Sequence, residues 1–160
     1  MNHAPFLALA ASFVVASSAI SDEPHKKWMD YFQGGWESES SNGEKGGTEF
    51  KYVPGHYATI GTRSTKPGGV QLVGWQMNRN VLVDTEYGAD GAYSVIEYDK
   101  FGDKEMHGKF VHYWDPEKGD RSGATIVVKI ESLDVASAVI SGRTKDGEPF
   151  ELRLTFKRKK

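Results

Sequence analysis

Two histidines, one carboxylate pair and a set of aromatic residues are the side chains here with chemistry to offer. His107 and His112 lie five apart in HGKFVH. On a regular strand an odd separation puts them on opposite faces, so they share no metal ion unless a bulge intervenes. No metal site or cofactor is expected. His112 has the parity of Met106, Gly108, Phe110 and Trp114 and is assigned to the interior. There it could hydrogen-bond a ligand or act as general acid or base near neutral pH. A satisfied interior histidine without catalytic duty is the simpler alternative. Asp84 and Glu86 form an i, i+2 pair about 7 Å apart, a spacing that suggests paired-carboxylate hydrolysis. Val83, Thr85 and Tyr87 read as the inner face of that strand, which puts both carboxylates in solvent. Glu97 shares parity with Tyr93 and Val95, while Ser94, Ile96 and Tyr98 form a competing apolar face. Phe50, Tyr52, Trp75, Tyr87, Phe110 and Trp114, with His112, are the candidate ligand-binding residues. A cavity lined this way suits a flat or amphiphilic molecule, and a packed, ligand-free core is the alternative.

Short strands must carry these residues. From Gly34 onward, turn chemistry recurs at SNGEKGG, PG, KPGG, NRN, GADG, DKFGDK, DPEKGDRSG, SLD and KDGEP, each rich in residues suited to reversing a strand. Phe150, Leu152, Leu154 and Phe156 alternate with Glu151, Arg153, Thr155 and Lys157. Ala124, Ile126, Val128 and Ile130 do the same, and such alternation joined by short turns belongs to antiparallel sheet. About ten such strands leave two long edges unless the sheet closes. The expected fold is all-β, a closed antiparallel up-and-down barrel of about ten strands, with a flat sandwich as the alternative. A short helix precedes it, starting at Asp22-Glu23-Pro24 and running to about Phe32; it is too short to be stable undocked.

Leu7 to Ile20 is an apolar, small-residue run of signal-peptide length, too short to span a bilayer. Residues 1-19 are expected to be a cleavable export signal and residues 20-160 one secreted or periplasmic domain, with no stable membrane span after cleavage. The net charge of −2, with no clustered basic face beyond the Lys157 to Lys160 tail, argues against nucleic acid. The absence of cysteine removes thiol nucleophiles and thiolate metal sites. Serine-hydrolase elbows, Walker loops, Rossmann glycine patterns and zincin histidine pairs are also absent.

Gly34 and Gly35 stand between the helix and Trp36. Glycine takes the strained step out of a helix without penalty and lets the chain swing the indole under one barrel end. Arg158 carries the inward parity of Phe150 to Phe156. First and last strands are neighbours in a closed barrel, so Arg158 is expected to stack on Trp36 across the seam.

The helix, then Phe32, Gly34, Gly35 and Trp36, then about ten strands and a final inward arginine resemble the lipocalin-like (calycin) superfamily, whose Gly-x-Trp motif matches Gly34 to Trp36. The chain also resembles a group of exported, uncharacterised bacterial lipocalin-like proteins, with Val73-Gly74-Trp75 and Gly108 to Trp114 at comparable strands. The resemblance implies a ligand cavity for a small hydrophobic or amphiphilic molecule. Members bind fatty acids, retinoids or haem, and a few are isomerases. The haem-binding branch uses a histidine near the C-terminus, whereas this chain has none after His112. The resulting expectation is a non-catalytic carrier. An acid/base enzyme using His112 and a ligand-free envelope interaction module are the alternatives.

Overall fold

The computed structural model describes residues 23–64 and 68–160. The expected export signal lies outside them. Helix α1 (Pro24–Tyr31) leads into β1 (Gly34–Ser40), β2 (Lys45–Tyr52), β3 (Ala58–Arg63), β4 (Gly69–Gln76), β5 (Val81–Gly88), β6 (Tyr93–Phe101) and β7 (Glu105–Asp115). The two-residue β8 (Gly119–Asp120) is followed by β9 (Thr125–Ser132), β10 (Val135–Arg143) and β11 (Pro149–Arg158).

Each strand from β1 to β7 pairs antiparallel with the next, β7 pairs with β9, and β9, β10 and β11 continue the sheet back to β1. Ten strands thus form a closed ring with one short helix, and β8 is a flap on the end of β7. Closure leaves none of the ten described ring strands as an edge strand, and the two-residue β8 is paired on one side only.

The seam between β1 and β11 aligns Trp36 with Arg158. Trp36 is 2 % exposed, and the Arg158 guanidinium carbon lies 4.4 Å from the centre of its ring. Arg158 also donates to the carbonyls of Tyr31 at 2.7 Å and Gln33 at 2.6 Å, so one side chain ties helix to seam. Gly34 makes the step between them at φ +91°, a conformation other residues rarely adopt.

Helix α1 plugs this end of the barrel. His25, Trp28, Met29 and Phe32 recur at i, i+3, i+4 and i+7, the spacing of a single helical stripe. The first three are buried, and Phe32 packs against the core. The inner wall facing the plug is apolar: Leu82, Tyr98, Met106, Val128 and Ala138 belong to one continuous core with it.

Candidate functional site at the polar end of the barrel

Strand β5 decides the site. Leu82 is paired with Trp75 and Tyr98, Asp84 with Val73 and Ile96, and Glu86 with Gln71 and Ser94. Leu82 is 2 % exposed, so the residues at its parity point inward, Asp84 and Glu86 among them. The expectation that these carboxylates face solvent is overturned. In VLVDTEYG the apolar set Val83, Thr85 and Tyr87 is the outward one, so the alternation pointed to the opposite face.

Asp84 is 7 % exposed. Gln71 Nε2 donates to its Oδ2 at 2.6 Å, while Oδ1 has no hydrogen-bond partner among the described residues. Burial, and then the charge of Glu86, push the Asp84 carboxyl up to about 7, against the lowering effect of the Gln71 bond. On the next strand, burial and then the charges of Asp84 and Glu86 raise the buried Tyr98 hydroxyl well above its ordinary range. Glu86 is ion-paired with Arg63, and both side chains are partly exposed. Ser38, Ser40, Gln71 and Ser94 share the inward parity at this end. Arg121 extends over the Phe150 ring with its guanidinium carbon 4.6 Å from the ring centre, and its buried Nε has no partner among the described residues. The interior is therefore apolar towards α1 and polar towards the opposite mouth. A carboxyl that gains and loses its proton near neutrality is recessed at the boundary between them.

The aromatic candidates do not converge on one cavity. Phe50 lies across from Gly61, where an added Cβ would meet its ring at 2.7 Å. Tyr98 covers Gly108 and Phe150 covers Gly142 in the same way. These rings lie against the wall through missing side chains and do not stand free in the lumen. Tyr52 donates its hydroxyl to Asp30 of α1 at 2.5 Å. Trp75 stacks on His25 at 3.8 Å with the planes 5° apart. Both therefore bind the plug to the wall. Phe110 is inward, buried, and stacked on Tyr113 at 5.0 Å.

Tyr87, His112 and Trp114 are outside. Tyr87 is 55 % and Trp114 53 % exposed, and His112 is exposed with them. On β5 the cause is the parity already described. On β7 it is a bulge: Ile96 pairs with Phe110 but Val95 pairs with His112, leaving Val111 as an extra residue. The extra residue reverses the alternation, so Tyr113 takes the interior position and His112 and Trp114 leave it. The same bulge puts His107 and His112 on one outer face, where five extended residues, roughly 16 Å, separate them. His107 is bonded instead to Glu105 at 2.6 Å. Glu97 is also outward, held by both guanidinium nitrogens of Arg79.

His25 is the interior histidine that the sequence reading missed. Its signal was the helical stripe it shares with Trp28, Met29 and Phe32. Burial lowers its pKa, outweighing the raising effect of Glu23, and Lys26 adds to the lowering.

Two concavities, about 650 and 340 Å³ in volume, lie on the outer wall. Glu37, Glu39, Lys45, Arg153 and Lys157 line the first, a charged surface unsuited to an apolar ligand.

No family model matches the chain, and no curated protein matches it. Among solved structures, EF1p2_mFAP2b bound to DFHBI shares 13% identity at a TM-score of 0.44, covering 84% of this chain and 98% of its own. A redesigned beta barrel shares 15% identity at a TM-score of 0.39, covering 82% and 95%. Both likenesses are too slight to assign a family. Among the described residues no helix is long and apolar enough to cross a membrane.

Proposed function

We propose that the chain is an exported lipocalin-like barrel, secreted or periplasmic, that binds a small amphiphilic molecule with Asp84 as its recognition group. The observation that supports this most is the buried Asp84 carboxyl, with one oxygen unpartnered among the described residues, beside Gln71 at the polar end of the interior. An unsatisfied buried acceptor costs about 1–3 kcal/mol. A hydroxyl, amide or amine on the ligand recovers that cost by donating to Oδ1. The ligand's apolar part then packs against Val73 and Ile96, the cross-strand neighbours of Asp84. Of the expected aromatic contacts, Phe110 keeps a ligand-facing role, while Phe50, Tyr52 and Trp75 shape the wall and hold the plug.

Titration with dansylamide, an apolar fluorophore carrying an N–H donor, tests this. Saturable, blue-shifted fluorescence is expected. Asp84→Asn weakens it about tenfold, and Tyr87→Ser on the outer wall leaves it unchanged. Well-folded protein without saturable binding, or binding indifferent to Asp84→Asn, overturns the proposal. Native mass spectrometry of protein purified from its own host then identifies the natural ligand.

A second reading, acid/base catalysis, is favoured by the position of Asp84 beside Tyr98 with its carboxyl near neutrality. It runs through Asp84 and not His112, so His112→Ala leaves such an activity intact while Asp84→Asn abolishes it.

A further inference from the structure

The outer wall is divided by charge. Outward positions on β1, β2 and β11 carry Glu39, Lys45, Glu49, Lys51, Glu151 and Arg153, which pair among themselves. No outward position on β3, β4 or β5 is charged. Two cross-strand rows start on this uncharged region, and the second continues onto β6 and β7, where the outward Glu97 is paired with Arg79. One contains Ile60 opposite Leu72; the other takes Val70 to Tyr87, Tyr93 and Trp114. All but Tyr93 are between 43% and 55% exposed. Tyr87 and Tyr93 touch with ring centres 5.0 Å apart, so the aromatic row is continuous.

Five large side chains left half in water present on the order of 400 Å² of apolar surface, as much as the largest patch on an ordinary monomer. A stable dimer covers roughly 800 Å² per partner, with an apolar centre and a polar rim. The patch matches such a centre in area. Its composition also fits, because aromatic residues are enriched and charged ones depleted at interface centres.

We propose that this face is the contact surface between two copies of the chain. A partner must itself present an uncharged face, since burying an unpaired charge against these residues is costly. The chain's own β3–β5 wall meets that condition. A two-fold axis lying in the interface, across the strands between the two rows, sets the aromatic row of each copy on the aliphatic row of the other. This is the self-complementary arrangement of an isologous dimer. The closed ring offers no strand edges, so association occurs face to face. A lipid surface is the competing occupant. It is disfavoured because β3, β4 and β5 present no outward cation to meet anionic headgroups.

Sedimentation of the full chain across about a hundredfold concentration range tests the proposal. A mass rising to twice that of one chain is expected. Leu72→Lys shifts the transition about a hundredfold upward in concentration with an unchanged dilute melting curve, and Thr155→Lys on the charged wall has no effect. Should Leu72→Lys fail to fold, a spin label at Thr85→Cys gives an independent reading, since the chain has no native cysteine. A short label-to-label distance is expected there and none at Thr155→Cys. A single-copy mass throughout, whether or not the protein partitions onto zwitterionic vesicles, overturns the proposal. So does association that neither Leu72→Lys nor the Thr85→Cys label detects.

Discussion

Asp84 is held by one hydrogen bond from Gln71 and otherwise surrounded by β-barrel wall, and this makes its charge a stability term. Its folded pKa of about 7 lies above the ordinary 3.8. The folded state therefore binds the proton more tightly than the unfolded state does. The contribution is fully present below about pH 4 and is lost as pH rises through about 7, a difference on the order of 4 kcal/mol. His25 acts in the opposite sense: its lowered pKa makes stability fall as pH drops below 6.5 towards the folded value. The difference between wild type and Asp84→Asn isolates the carboxyl from the histidine. Thermal melts are expected to show Asp84→Asn gaining relative to wild type at about pH 8, less than half of that gain at about pH 5 and almost none of it below about pH 4. An equal offset at all three values means the carboxyl is not buried as described.

At the scale of the element, the bulge at Val111 determines what the end of β7 presents. Below it Met106, Gly108 and Phe110 face inward on even numbers; above it the inward residue is Tyr113. Deleting Val111 restores a regular strand in which Phe110 and Tyr113 are still inward and Trp114 still outward. The deletion is expected to fold, at a cost of about 1–3 kcal/mol from the lost local twist and shifted neighbours. Trp28 and Trp36 are almost fully buried and Trp75 is partly covered by His25, so Trp114 is the most acrylamide-quenchable of the four tryptophans. Its strong quenching should persist in the deletion variant and fall sharply in Trp114→Phe, which leaves only the partly covered Trp75 accessible. If the deletion protects Trp114 from quencher, the bulge does not set its direction in the way proposed.

For the whole molecule, the seam completes the ring and gives α1 its anchorage. Trp36 packs against Tyr31 and Phe32 with ring centres 5.2 and 5.3 Å away, and its Nε1 donates to the Phe32 carbonyl at 3.0 Å. Trp36→Ala is expected to cost about 3–5 kcal/mol. Arg158→Ala removes two charge-assisted bonds to α1 and its exit, each of a kind worth about 1.5–3 kcal/mol. Denaturant unfolding reads both. A loss below about 1 kcal/mol for Trp36→Ala would contradict a stabilising seam. The division of the outer wall into charged and uncharged sectors appears only at this scale, because the two sectors are made of strands distant in sequence.

Read alone, the sequence determined the ring. Turn residues at regular intervals, clean alternation in β9 and β11, and the matched ends Trp36 and Arg158 are local signals, and closure follows because an open sheet would leave edges. It also held the helical stripe through His25, which was there to be read. Tertiary structure decided which way β5 and the end of β7 face. In β5 the more apolar parity faces out and the one with two carboxylates faces in, so alternation misleads and only the register with Trp75 and Tyr98 fixes the face. In β7 one extra residue reverses the alternation, and a bulge is visible only in the partner strand's pairing. The candidate site therefore moved from His112 to Asp84 without any change in the fold, since side-chain direction in a strand has a period of two and a single residue reverses it.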